Sequence, residues 1–191
     1  MARVSSSASI IITLLGGLVV LCAGMVVMVQ YAKVEVKTHP REQSKPDGPQ
    51  GPYAARLKQL TSKEYAAIYL GDDDSPGMGR YHRTTEAGLY LDIVSGEVMF
   101  TSLDKLEPTQ GYAEFSKPFD AALLREEPGT SAGEDRLNVK GKASGARLGW
   151  IVTEDGGARR YVLNSSALRF VPAAALEKEN LGQHRGLFEK Q

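Results

Sequence analysis

The stretch Arg159–Pro172, "RRYVLNSSALRFVP", decides how the rest of the chain is read. Charged, aromatic, aliphatic and small polar residues follow one another in it, and it ends on a proline, which cannot donate to a sheet ladder. Segments of the same character precede it: "GLYLDIV", "GEVMFTS", "RLNVKGK" and "RLGWIVTE" are short, β-branched or aromatic, and separated by Gly, Ser and Asp turns. Strands at this spacing, without long helices between them, predict a mainly β fold: an antiparallel β domain with short peripheral helices. No internal repeat stands out.

Composition narrows the chemistry. The 191 residues carry 23 basic and 23 acidic side chains, so no overall field draws the protein to nucleic acid. The one cysteine, Cys22, rules out an intrachain disulfide, a CxxC pair and a thiolate metal cage. His39, His82 and His184 are scattered, and none sits at ligand spacing with another. The expectation is therefore no metal, no cofactor and no nucleic-acid partner.

Ahead of the β region, residues 1–9 read as a tail and 10–30 as a transmembrane anchor. From Ile10 to Val29 the chain is "IIITLLGGLVVLCAGMVVMV", uncharged, with Thr13 its polar side chain. Such a run, at about 1.5 Å per residue, spans the roughly 30 Å hydrocarbon core of a bilayer. No small-x-small cleavage site follows, so a retained single-pass anchor touching lipid through 10–29 is expected. Lys33, Lys37, Arg41 and Lys45 pull the following part toward the cytoplasm. N-terminal anchors commonly deliver a domain outside, so both orientations stay open. Residues 31–54 are expected to be an extended tether, since Lys37–Ala54 carries four prolines and hardly an apolar side chain.

Residues 55–172 form the expected β domain, beginning with a short helix in "YAARLKQLTSKEYAAIYL". Leu57, Leu60, Tyr65, Ile68 and Tyr69 would share its apolar face, with Thr61 as a second start. "GDDDSPGMGR" lacks the spacing and terminal Glu of a calcium loop and reads as a solvated turn. The tail 173–191 has helix formers up to Leu181, then Gly182 and Gly186, and predicts a polar surface helix.

Five segments, in order, carry a resemblance. "LTSKEY" (60–65), "MFTSLDKL" (99–106), "QGYAEFSKP" (110–118), "RLGWIVTEDG" (147–156) and "RYVLNSSALRFVP" (160–172) are similar to the motifs of the B-type methionine-R-sulfoxide reductases. Gly88, Tyr90, Phe100, Ser102, Lys105, Gly111, Phe115, Pro118, Leu148, Gly149, Asp155 and Gly156 keep the family's identities, as do Arg160 and Asn164. The resemblance implies that family's β fold and its reduction of oxidised methionine.

The departures fall where the chemistry belongs. By this resemblance the family's nucleophilic cysteine is Val162, the cysteine beside its tryptophan motif is Gln110, and the pocket tryptophan is Tyr112. Its two histidines are Arg147 and Trp150. Its zinc cysteines are Asp92, Ser95, Gly141 and Ser144. Attack on a sulfoxide sulfur needs a soft thiolate and a resolving thiol, and valine offers neither. A structural zinc can supply on the order of 10 kcal/mol of folding free energy, so its loss calls for an offset, although many members of the family lack it. The residues left at the former site, Tyr112, Trp150, Arg160, Val162 and Asn164, suit an apolar peptide side chain or simply fill the space. Expected, then, is a pseudoenzyme: a membrane-tethered peptide- or protein-binding or assembly module with a protein partner. A peptide-methionine (R)-S-oxide reductase acting by another route, and a structural accessory subunit of a membrane complex, are the alternatives.

Overall fold

The computed structural model of the protein describes residues 51–129 and 136–189. The predicted anchor and nearly all of the tether lie outside the described residues. Among the described residues, no helix is long and apolar enough to cross a membrane.

Among the described residues, nine strands build the domain: β1 Gly88–Asp92, β2 Val98–Thr101, β3 Lys105–Leu106, β4 Ala113–Phe115, β5 Leu124–Pro128, β6 Leu137–Gly141, β7 Arg147–Thr153, β8 Arg159–Leu163 and β9 Leu168–Pro172. They make a three-stranded sheet, β2-β1-β9, and a six-stranded sheet, β3-β4-β8-β7-β6-β5. The pairings among the described residues are all antiparallel. The opening stretch supplies both sheets. Its first half is β8, at the centre of the large sheet; its second half is β9, on the edge of the small one.

Aromatic rings join the two sheets. Tyr90 and Phe100 of the small sheet meet Phe115 of the large one edge-on or tilted, with centroids 4.9 and 4.8 Å apart. Tyr161 lies 5.6 Å from Phe100. Leu148, Leu163, Leu168 and Met99 fill in around them, fully buried. Burial of such side chains contributes roughly 1.5–3 kcal/mol each and dominates the stability of the fold.

Every residue of β1 is buried. A strand covered on both faces needs a second apolar layer, and the C-terminal tail provides it. Leu176, fully buried, packs with Leu89, Leu91, Val98 and Val171, and Leu181 and Phe188 close over them. The predicted polar helix over 173–191 is therefore corrected. Only a single turn forms before Asn180 adopts a left-handed φ of 57°. The Leu181 N–H then reaches the Leu176 carbonyl at 2.8 Å and the Asn180 N–H the Glu177 carbonyl at 3.2 Å. This is the Schellman closure, with its customary apolar contact between the flanking leucines. A 3-10 helix, Gly182–Leu187, follows.

The N-terminal helix is also divided. α1 (Ala54–Leu57) stops, and α2 (Ser62–Tyr65) starts afresh at Thr61. Thr61 and Glu64 form a reciprocal capping box. α2 continues as a wide π-type turn, Ala66–Leu70, which buries Ala67 and Ile68. Leu57 and Leu60 pack against the core as the spacing implied. Tyr65 and Tyr69 do not join that face: the wider turn swings them outward, and their rings pack on each other at 5.2 Å.

Candidate functional site

The outer face of the large sheet carries one continuous row of side chains. Across β6, β7, β8 and β4 the register aligns Asn138, Trp150, Val162 and Glu114. Val162 is fully buried although it lies on that outer face. The Trp150 indole flanks it, and the Tyr112 ring meets that indole edge-on at 4.8 Å. The Arg136 guanidinium lies over the indole at 4.8 Å and that of Arg147 at 5.9 Å. Only 2 % of Trp150 is exposed, so rings and guanidinium groups leave the isopropyl group no opening to solvent. The indole N–H finds no hydrogen-bond partner among the described residues.

Backbone approach makes this packing possible. A Cβ at Gly149 would collide with the Val162 carbonyl oxygen, so β7 can lie against β8 here only with glycine. Gly111, at φ 80°, accepts at its carbonyl from the Gly77 N–H at 2.8 Å, and a Cβ there would strike Gly77. That pins the loop after the π-type turn beside Tyr112.

The same loop corrects the reading of "GDDDSPGMGR" as a solvated turn. Asp74 is buried: its carboxylate accepts from the Ser166 hydroxyl at 2.5 Å and N–H at 3.0 Å, with Lys63 Nζ at 3.2 Å. Burial alone would raise its pKa, but Ser166 and Lys63 outweigh it and hold the group below the usual aspartate value. Asn164, also fully buried, accepts from the Asp74 N–H at 2.9 Å and donates to Asp73 Oδ1 at 3.2 Å. Arg147 donates to the same Asp73 oxygen at 2.7 Å and to Asn138 Oδ1 at 3.1 Å. Burial, followed by the charges of Asp73 and Asp74, raises the Tyr112 phenol, which stays protonated at neutral pH.

Arg160 serves a second network on the same face. It donates to Glu114 Oε2 at 3.0 Å and to Glu154 Oε1 at 2.6 Å. Glu114, fully buried, also accepts from the Thr109 and Gln110 N–H groups at 2.9 and 2.7 Å and from the Thr109 hydroxyl. Of the five candidates, then, Tyr112, Trp150 and Val162 touch as one cluster. Arg160 and Asn164 each anchor a flanking carboxylate network. Sequence reading missed Glu114, Asp73 and Asp74. Glu114 left one signal, a carboxylate alternating with Ala113 and Phe115 inside a strand. A hollow of about 510 Å³, lined by polar residues including His82, Arg83, Lys105 and Glu107, shares no lining residue with the cluster.

Asp92, Ser95, Gly141 and Ser144, which the resemblance aligns with zinc ligands, lie at the neighbouring tips of the β1–β2 and β6–β7 hairpins. They offer a carboxylate, two hydroxyls and a glycine. The Ser144 hydroxyl donates directly to Asp92 Oδ2. Oxygen donors already satisfied by each other do not suit a metal that prefers tetrahedral sulfur and nitrogen. No group of three or more His, Cys, Asp or Glu able to hold a metal occurs among the described residues.

The order of motifs and the antiparallel β architecture agree with one family comparison. The SelR domain model matches residues 60–172, more than half of the chain. The chain belongs to the SelR-domain family, that of the B-type methionine-R-sulfoxide reductases.

Proposed function

We propose that this protein is a catalytically inactive member of its family, tethered to a membrane through residues 10–29 and acting as a protein-binding or assembly module. Val162 carries the reading. The resemblance aligns it with the family's nucleophile, it is fully buried, and an isopropyl group has no lone pair with which to attack sulfur. The sole cysteine, Cys22, belongs to the apolar run and not to the domain. The closed packing of Tyr112 and Trp150 over Val162 favours binding through other surfaces over insertion of a peptide side chain at the former site. Tyr65, Tyr69 and Leu70 are exposed together on one short segment and offer such a surface.

The test incubates the full chain, in detergent, with a methionine-R-sulfoxide peptide and a thiol reductant. Product equal to a protein-free blank is expected, and turnover above it overturns the reading. Mild extraction from native membranes followed by sizing tests the partner. The 20.7 kDa chain should elute in a larger assembly, and elution as a lone chain in its micelle would count against an assembly role.

A further inference from the structure

The two hairpin tips are built to one plan that the letters conceal. In "DIVSGE" (92–97), the Asp92 N–H donates to the Glu97 carbonyl at 3.0 Å and the Gly96 N–H to the Asp92 carbonyl at 2.9 Å. In "GKASGA" (141–146), the Gly141 N–H donates to the Ala146 carbonyl and the Gly145 N–H to the Gly141 carbonyl, both at 2.9 Å. The fifth residue is a left-handed glycine in each, Gly96 at φ 78° and Gly145 at φ 69°. The fourth is a serine whose hydroxyl accepts from the N–H two residues on: Ser95 from Glu97 at 3.2 Å and Ser144 from Ala146 at 3.0 Å. The tips differ decisively at their first residue, Asp92 against Gly141.

That difference is complementary. Asp92 Oδ1 accepts from the Val94 N–H at 2.7 Å and the Ser95 N–H at 3.3 Å within its own tip. Its Oδ2 crosses to the other tip and accepts from the Ser144 hydroxyl. The carboxylate is fully buried. A side chain at Gly141 would collide with that same Oδ2 and come within 2.7 Å of Ser144 Oγ. The space in front of Gly141 is thus filled by Asp92, and Gly141 is small because it must receive it.

We propose that Asp92 does the work of a shared metal ion: its carboxylate is a metal-free clasp that joins the two hairpin tips, and with them the small sheet to the large one. A bridging ion would take ligands from both tips; here one carboxylate draws donors from both and neutralises the peptide N–H groups of its own turn. Gly141 is the counterpart of Asp92, a socket and not a turn requirement. Domain stability is therefore independent of zinc. The clasp does not depend on the chain being inactive, and its test reads no turnover.

The experiment uses the full chain in detergent, with zinc measured by atomic absorption and melting followed by near-ultraviolet circular dichroism. Zinc well below one per chain, and a Tm that a chelator leaves unchanged, are expected. Asp92→Ala should lower Tm by about 10 °C and Ser144→Ala by about 5 °C, since each strands buried hydrogen-bonding groups. Gly141→Ala should lower Tm by about 5 °C or more in the native background and by distinctly less in Asp92→Ala, where the nearer colliding oxygen is gone and the Ser144 hydroxyl is free to turn away. Should Asp92→Ala fail to fold, Ser144→Ala carries the same cycle, because the unpinned carboxylate can then turn aside and the Gly141→Ala penalty shrinks. Stoichiometric zinc with a chelator-sensitive Tm overturns the proposal. So does a Gly141→Ala penalty that is undiminished in the partner backgrounds.

Discussion

Val162 stands directly opposite Trp150 in the β7–β8 ladder and directly opposite Glu114 in the β4–β8 ladder. An indole on one side and a carboxylate on the other hold Val162, which the resemblance aligns with the family's nucleophile, out of solvent. Restoring a thiol there is consequently not enough to restore chemistry. Val162→Cys should fold with a loss of about 1 kcal/mol, comparable with other one-methyl core changes. Its thiol should react with a maleimide slowly in the native protein and fast in urea. A buried thiol near a carboxylate is held protonated and is a poor nucleophile. Measurable sulfoxide reduction by this single variant would show that the Trp150 packing opens readily.

Trp150 is the chain's one tryptophan, so its fluorescence reports on the Tyr112–Trp150–Val162 cluster without labelling. Emission should be blue-shifted and shielded from acrylamide in the native state. Trp150→Ala should cost about 3–5 kcal/mol in urea unfolding, the price of a large core cavity. Trp150→Phe should cost distinctly less, since Tyr112 can still pack on a ring and the unpartnered indole N–H disappears.

Part-buried Arg160 and fully buried Glu114 form an ion pair on the same face. Arg160→Met leaves the Glu114 carboxylate with the Thr109 and Gln110 donors and no cation beside it. A loss of about 2 kcal/mol is expected, less than for a fully buried pair, because the change leaves the buried Glu114 carboxylate without its cation. The companion change Glu114→Gln keeps most of the acceptor geometry, and the Arg160→Met/Glu114→Gln double variant should lose less than the sum of the singles. Additive losses would mean that the two side chains do not depend on each other.

What could be read without coordinates followed from periodicity and motif order. The antiparallel strands, the central role of Arg159–Pro172 and the capping start at Thr61 all announce themselves in residue type and spacing. The buried carboxylates did not. Asp74 sits in a run of three aspartates that any composition rule sends to solvent, and only the return of Ser166 and Asn164 from far along the chain makes it a core group. Leu176 likewise lay in a polar tail whose burial depends on β1 needing a second cover. The paired hairpin tips were hidden because their likeness is in backbone hydrogen bonds, while Asp92 and Gly141 are as unlike as two residues can be.

Asp74 ties the loop before it to the turn after β8, and that tie depends on pH. Its folded pKa lies below the ordinary value, so the stability it contributes is present above about pH 4 and is lost as pH falls through the folded pKa. Asp74→Asn should therefore lower Tm at pH 7 and narrow the gap from the native protein as pH drops below about 4. Parallel Tm curves across that range would show that the charge of Asp74 is not what holds the loop.

Tyr90 gives the opposite slope at the alkaline end. Its phenol is buried among Phe115, Phe170 and Tyr81, and the hydroxyl finds no hydrogen-bond partner among the described residues. Burial, then the neighbouring Tyr81 and Glu86, push its pKa well above the ordinary value of about 10. The folded state keeps the proton that the unfolded chain releases, so stability is full below about pH 10 and falls as pH rises beyond it. Tyr90→Phe removes both the unpartnered hydroxyl and this titration. At pH 7 it should be neutral or stabilising by up to about 1 kcal/mol. Between about pH 10 and 11 its Tm should decline less steeply than that of the native protein. A clear loss of stability at pH 7 would instead mean that the hydroxyl has a partner, such as a buried water, that Phe cannot replace.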